Sequence, residues 1–267
     1  MNSEFKNEIA SKQRFEFGKN WKRFLNLISN DRIAAAENSL LLMLDMKSLN
    51  GVDFLDIGSG SGLSSLAARN LGARVHSFDY DDKSEWCTKK LKEDYHQNDS
   101  NWKIQNGSVL DKGFMKKLGV FDVVYSWGVL HHTGDMWSAL ENASENVKPK
   151  GKFYIALYNW QPFASAYWTF VKRTYVRYKL SRFFWIFLHG FYPVLPSILL
   201  RLISRRKDQR GMNVWYNLVD WLGGYPFETS TPKEVFDFCK TRGFTLDQMN
   251  TVGGRMGCNE YVFIKNG

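Results

Sequence analysis

The stretch Asp56-Ile57-Gly58-Ser59-Gly60-Ser61-Gly62 joins an acid to three alternating glycines. Glycines let the backbone pass close to a ligand, and a turn that opens a helix presents free N–H groups. Several nucleotide cofactors use such a turn, and spacing separates them. A phosphate-binding Walker loop ends in Gly-Lys-Ser/Thr, whereas Gly62 is followed by Leu63. A dinucleotide turn reads GxGxxG; Gly58 to Gly62 reads GxGxG with Asp56 just ahead of it. An acid in that place repels a pyrophosphate and suits a cationic ligand such as the amino group of methionine. Asp79 closes the next strand, His76-Ser77-Phe78-Asp79, where a carboxylate can accept bonds from ribose hydroxyls. Taken singly, these glycines could serve a tight turn and Asp79 a helix cap. The ordered set points to a ligand.

A second group is His131 and His132, the adjacent histidines that follow Ser126-Trp127-Gly128-Val129-Leu130. An imidazole with its pKa near working pH can take a proton from a hydroxyl. Adjacent side chains splay apart, and no paired acids stand at helical spacing with them, so no metal site is expected. Asp135 reads better as the cap of the next helix than as a partner to a base. Tyr158 and Asn159, at the end of a strand, are expected to face the same crevice. Arg255, on the glycine-rich turn Gly253-Gly254-Arg255-Met256-Gly257, could reach over it, or the segment is a plain hairpin turn.

These residues need strands and helices to hold them. Apolar positions at three-to-four spacing predict a helix over 3–30 and another over 32–47. After Asn50-Gly51 the pattern alternates. Strands are predicted at 52–57, 74–78, 102–106, 121–127 and 152–158, with helices at 61–71, 82–95, 112–118 and 135–147 between them. That order implies an α/β fold with a parallel, doubly wound sheet. The alternation breaks at Asn159 and resumes at Thr231-Pro232-Lys233-Glu234, a helix start with a capping residue and proline at the first position. The strands 244–250 and 260–265 close the chain. The reading divides it into a helical lid, 1–48, a nucleotide-binding domain, 49–159 with 231–267, and a helical cap insertion, 160–230.

The stretch from about 50 to 158 resembles the class I S-adenosylmethionine-dependent methyltransferases, most of all those of the ubiquinone pathway and of surface sugars. Asp56–Gly62 matches their first motif and Asp79 their ribose-binding acid. Asn106-Gly107-Ser108-Val109 stands at their adenine contact, with Ser108 where the family usually has Asp. Ser126 to His132 matches their fourth motif, and Val147-Lys148-Pro149-Lys150-Gly151-Lys152 the turn that follows. The resemblance implies a Rossmann-like seven-stranded sheet with the last strand antiparallel. It also implies S-adenosylmethionine as methyl donor, S-adenosylhomocysteine as product, and Asp56, Gly58, Ser59, Gly60, Gly62, Asp79, Tyr80, Ser108, Val109 and Trp127 as cofactor contacts. Either histidine could be the base, although in this family the first commonly packs structurally and many members work by proximity.

Acceptor choice should lie in the parts the family does not share. Phe15 to Trp21 is aromatic and is expected to cover the cofactor cleft, with Trp21 facing substrate. The insertion ends in Asp220-Trp221-Leu222-Gly223-Gly224-Tyr225-Pro226-Phe227-Glu228, which resembles a segment of bacterial methyltransferases found among surface-polysaccharide genes; Tyr225 is its candidate substrate contact. The net charge of +9 is concentrated: ten basic residues and one acid lie between Trp160 and Met212, and the remainder is nearly neutral. A basic aromatic cap suits an anionic acceptor, small or carrier-linked, such as a phosphate, a nucleotide-linked or lipid-linked sugar, or a carboxylate. Nucleic acid is disfavoured, because no Asn/Asp-Pro-Pro-Tyr/Phe follows the fourth strand.

Phe183–Ile203 is apolar, yet Gly190, Pro193 and Pro196 interrupt it and His189 and Arg201 lie within it, which favours two cap helices over a membrane span. Contact of 160–212 with an anionic membrane surface and a homodimer through the insertion are further readings. Three scattered cysteines and a polar N-terminus without a secretory pattern suggest a cytoplasmic protein, or one peripheral to the inner membrane surface. Three functions follow: O-methylation of an anionic metabolite such as a surface-saccharide building block, methylation of a membrane-borne quinol or lipid, and cofactor binding without catalysis.

Overall fold

A computed structural model describes residues 3–25, 27–190 and 214–267. Strands β1 (Asp53–Ile57), β2 (Arg74–Asp79), β3 (Trp102–Asn106), β4 (Phe121–Trp127), β5 (Val147–Tyr158), β6 (Phe244–Asn250) and β7 (Cys258–Lys265) form one sheet in the order β3-β2-β1-β4-β5-β7-β6. Strands β1 to β5 pair in parallel, and β7 runs antiparallel to both β5 and β6. This is the doubly wound arrangement. The chain leaves β1 in one direction across the sheet and returns to β4 on its other side, and sheets of this kind take ligands at the C-terminal ends of those two strands.

Alternation along each strand builds a core on both faces. Leu55, Ile57, Phe78, Val124 and Ile155 point to one face and bury against α6 (Lys112–Leu118), α7 (Met136–Glu145) and α11 (Pro232–Thr241). Phe54, Val75, Val123, Tyr125 and Tyr154 point to the other and meet α3 (Asn30–Leu44) and α4 (Leu63–Asn70), with α5 (Asp82–Tyr95) beside them. Helix α11 starts as a full capping box, with Thr231 and Glu234 each bonding the other's backbone and Pro232 in the first turn.

The N-terminus departs from the single helix expected over 3–30. It forms α1 (Ser3–Ala10) and α2 (Gly18–Leu25) with an extended link. Lys12 takes a left-handed conformation with φ of 57°, and the Phe15 N–H donates to the Tyr225 carbonyl at 2.9 Å. A bond to a residue so distant in sequence outweighs continuation of the helix, and periodicity alone cannot register it. The predicted second helix is α3, and its Ile33, Leu40 and Leu44 lie in the sheet's own core. Of the described residues before β1, those of α1, α2 and their link reach the strand ends, and α3 does not cover them.

The insertion contributes α8 (Ala164–Arg177), α9 (Lys179–His189) and α10 (Val214–Gly223). They enclose a third cluster of Val171, Tyr175, Val176, Trp185, Leu218 and Leu222, with Phe15 from the lid and Tyr225 packed on it. The apolar stretch 183–203 lies partly outside the described residues, as do five of the insertion's basic side chains. Among the described residues no helix is long and apolar enough to cross a membrane.

Candidate active site

The glycine turn forms because β1 must hand over to α4 within a few residues. Gly58, Gly60 and Gly62 all take positive φ, at 77°, 57° and 85°, where a side chain would strain the backbone. Space is also short. A Cβ on Gly58 would lie 2.4 Å from Val129, and one on Gly62 2.9 Å from Thr88. Strand β2 holds the turn through its backbone. The N–H groups of Gly58 and Ser59 donate to the Phe78 carbonyl at 2.9 and 3.1 Å.

Asp79 supports the same turn from the end of β2. One carboxylate oxygen accepts the Gly60 N–H at 2.9 Å and the other accepts the Asp81 N–H at 2.9 Å. Burial raises its pKa to about 7 against the pull of these two donors. Each oxygen keeps a lone pair for a further donor. Asp56 sits deeper, only 2% exposed. It accepts the hydroxyl of Ser65 on α4, and Ser65 lies 2.7 Å from Ser77 of β2. Burial lifts its pKa too, to about 7. Its direct partner is therefore the protein, and its role here is to tie α4 to the strand ends. Ser59 is bonded to Thr88 at 2.8 Å.

Tyr80 follows Asp79 at the mouth of the crevice, with Asn106 donating to the carbonyls of both. Ser108 accepts the Leu110 N–H, and Val109 turns its side chain into the core. Trp127, half-buried at the end of β4, packs against the opposite core from the turn before His131.

The lid closes on this set from above. The Trp21 indole lies over Gly60, so close that an added Cβ would stand 3.2 Å from it. The Gly18 N–H donates to Asp81 at 2.8 Å, and Lys83 pairs with Glu16. Phe5 meets the Tyr80 ring edge-on at 5.3 Å. Arg14 lies over the same ring at 5.2 Å and donates to the His132 and Thr133 carbonyls at 2.7 and 2.9 Å. Phe17 reaches the His132 ring at 5.1 Å. Phe17 and Gly18 fall in the aromatic segment expected to cover the cleft, whereas Arg14 and Asp81 carry no signal in the sequence. Their partners are remote along the chain, so no local pattern marks them.

The two histidines lie in a short 3₁₀ turn, Leu130–His132, after β4. His131 is fully buried. Its ring lies 3.9 Å from that of Tyr158, and its Nδ1 accepts the Tyr158 backbone N–H at 3.2 Å. That bond assigns the proton to Nε2, which has no partner. Burial, with His132 and Lys172 nearby, holds its pKa well below the usual value. His132 is only partly buried and arranged the opposite way. Its Nδ1 lies 2.6 Å from the Pro226 carbonyl, which can only accept, so Nδ1 carries the proton and Nε2 a lone pair. Burial pushes its pKa down to about 3 despite the Pro226 carbonyl. At neutral pH His132 is thus uncharged with a fixed acceptor nitrogen, one far less basic than the imidazole near working pH expected from the sequence, because burial disfavours its charged form.

The turn is secured from below by Glu228. Its backbone N–H donates to the His131 carbonyl, and its carboxylate accepts the Met136 N–H at the start of α7. Asp135 caps that helix through the Ser138 N–H. Lys172 of α8 is buried beside this floor, donating to the Trp221 carbonyl and lying 4.1 Å from the Trp221 ring and 4.8 Å from that of Phe227. The sequence signal was available: Lys172 falls on the apolar stripe of α8 with Val171, Tyr175 and Val176.

Not every expected residue joins the site. Tyr158 does, stacked among His131, His132 and Phe227. Asn159, expected to face the crevice, instead turns into the β6–β7 connection. Its amide donates to the Gly253 and Arg255 carbonyls and accepts from Asn259 at 3.1 Å. Arg255 is exposed on that connection, and what the structure assigns it is this carbonyl. Tyr225 stands beside Pro226 and holds Phe15. Among the described residues no group of His, Cys, Asp and Glu is arranged to hold a metal.

Residues 55–153 match the family described as a methyltransferase domain. The chain is similar over this stretch to the class I methyltransferases. Among curated proteins it is 28% identical over 152 residues to a ubiquinone biosynthesis O-methyltransferase from Coxiella burnetii, covering 57% of this chain and 59% of that one. A protein of the same name from Paramagnetospirillum magneticum is 30% identical over 114 residues, covering 43% of each chain. The chain thus spans only about half the length of the curated relatives it matches. The magnesium protoporphyrin IX methyltransferase of Synechocystis PCC 6803, solved with bound S-adenosylhomocysteine, superposes with a TM-score of 0.58 over 97% of this chain and 100% of that one. At 10% identity that likeness concerns the fold.

Proposed function

We propose that this chain is an S-adenosylmethionine-dependent O-methyltransferase acting on an anionic acceptor, small or carrier-linked, of the kind used to build surface saccharides. The observation that carries the reading is His132, whose Nδ1–H is fixed on Pro226 so that Nε2 is held as a proton acceptor. The cofactor fits the residues present. Asp79 has lone pairs left for two ribose hydroxyls, and Gly58, Gly60 and Gly62 bring no side chains of their own beside it. Trp21 and Tyr80 supply aromatic walls. The names of the curated relatives support a hydroxyl as the methylated group.

S-adenosylmethionine supplies an electrophilic methyl on sulfur, and displacement there asks the protein mainly for alignment and proton removal. With the donor bound, His132 Nε2 would take the acceptor's hydroxyl proton as that oxygen receives the methyl group. His131 is a positioning residue, packed between Tyr158 and His132. The lid excludes water through Phe17 and Trp21. Calorimetry with S-adenosylmethionine and S-adenosylhomocysteine, followed by single-turnover transfer of a labelled methyl group, tests the reading. Both ligands bind on this account; failure of both, with the chain folded, sinks it.

A second reading is favoured by one observation. Helix α9 exposes Leu180, Phe183 and Phe187 at 85%, 75% and 69%, beside Lys179 and Arg182 and without an acid. Such a face suits a peripheral contact with an anionic membrane and hence a membrane-borne quinol or lipid as acceptor. Transfer that requires vesicles would support it, and equal transfer in their absence would remove it.

A further inference from the structure

Between the lid and the cap lies a cavity of about 320 Å³, lined by Ser11, Lys12, Gln13, Arg173, Arg177 and Tyr225. Its lining holds three cations and no acid. Arg173 and Arg177 stand one turn apart on the same face of α8, where like charges repel. Among the described residues no ion pair involves either of them or Lys12. Neighbouring arginines are engaged: Arg14 holds Glu8 and two carbonyls of the histidine turn, and Arg182 caps the Tyr175 and Val176 carbonyls. Three cations are gathered from two separate segments with no carboxylate partner among the described residues, Arg177 having only a contact with the Tyr178 ring at 5.8 Å; such a lining suits a multiply charged anion.

The cavity's position gives the anion a use. Tyr225, one of its walls, precedes Pro226, whose carbonyl fixes His132. The Tyr225 carbonyl also receives the Phe15 N–H and so ties down the lid. We infer that the cleft of Lys12, Arg173 and Arg177 binds a phosphoryl group of the methyl acceptor and seats the acceptor's hydroxyl toward His132. This deepens the methyl-transfer reading and rests on it. Since Lys12 belongs to the lid and both arginines to the cap, the bound phosphoryl group also clamps the link that carries Phe17 and leads to Trp21. Acceptor binding and closure over the glycine turn become one event.

Pyrophosphate is the probe, measured by calorimetry at fixed ionic strength on the full chain. The wild type should bind it, R173Q/R177Q should bind it at least about tenfold more weakly and K12Q a few-fold more weakly, as expected when charge-assisted bonds are lost. All three side chains are exposed, so their replacement leaves the core intact. S-adenosylmethionine affinity measured without pyrophosphate should be the same in R173Q/R177Q as in the wild type. Competition with glucose 1-phosphate and with phosphatidylcholine vesicles carrying phosphatidic acid identifies the source: displacement by the first means a soluble phosphate ester, by the second a lipid headgroup. Equal pyrophosphate affinity in wild type and double variant, or displacement by neither competitor, overturns the inference. Failure to bind S-adenosylmethionine while pyrophosphate binding follows the arginines would instead overturn the methyl-transfer reading and leave the anion site standing.

Discussion

The glycine turn and the cap meet at His132 but are held together differently. At the turn, backbone N–H groups of Gly58, Ser59 and Gly60 find the Phe78 carbonyl and the Asp79 carboxylate, and few side chains matter beyond the buried acids. At the cap, side chains do the holding: Lys172 on Trp221, Trp168 against Trp221, and Phe15 in the cap's core, while Arg173 and Arg177 line a cavity. Backbone contacts survive most substitutions, so one donor site can persist while sequences diverge. A wall made of side chains changes with each replacement.

The sharpest way to separate the two halves is at their junction. His132→Ala should lower methyl transfer by about 10²- to 10⁴-fold, the usual range for loss of a general base, while S-adenosylmethionine affinity stays nearly constant. A matching loss of cofactor affinity would assign His132 to the donor side. Because its pKa lies near 3 in the fold, the acid limb of kcat/KM should fall well below the ordinary histidine range. A limb near 6.5, the unperturbed value, would contradict the buried, Pro226-bound ring.

Asp79→Ala should act on the other half, weakening S-adenosylmethionine by about 10- to 100-fold through loss of charged hydrogen bonds and leaving the acceptor KM unchanged. Titration sharpens the same contrast. Asp56 and Asp79 have folded pKa values of about 7 against 3.8. The folded state therefore binds their protons more tightly, and the stability this contributes is complete below 3.8 and lost as pH rises through about 7. His132 runs the other way: its contribution is complete above 6.5 and lost as pH falls toward about 3. Urea midpoints should thus fall on both sides of mildly acidic pH, and Asp79→Asn should flatten the alkaline side. An unchanged alkaline slope would show that Asp79 is ionised in the fold.

The smallest effect is expected at the lid. Trp21→Ala removes the indole over Gly60 and should speed release of S-adenosylhomocysteine by a few-fold, about what one partly buried aromatic contact supplies, as read by stopped-flow fluorescence. No change in release would place the lid outside the donor half.

Much of the fold was legible because its determinants are local. Strand-turn-helix at Asp53–Asn70, the box at Thr231–Glu234 and the alternation from β1 to β5 each depend on residues close in sequence. The break in the N-terminal helix was not legible, since it depends on Phe15 meeting Tyr225. Asn159 illustrates the same limit. A polar residue at a strand's end reads as a site residue until the β6–β7 connection is seen to use both ends of its amide. Lys172 was counted with the surface charge, although its place on an apolar stripe marked it as buried.

The sequence by itself determined the glycine turn of Asp56–Gly62 and the strand-end acid Asp79, because both depend on backbone shape, which neighbours in sequence dictate. Only the tertiary structure decided how the histidines differ and where an anion can sit. His131 and His132 are chemically identical until Tyr158 and Pro226 fix opposite protons on them. Lys12, Arg173 and Arg177 are three scattered charges until the lid folds against the cap. In both cases the deciding partner lies far along the chain, and only folding sets which groups meet.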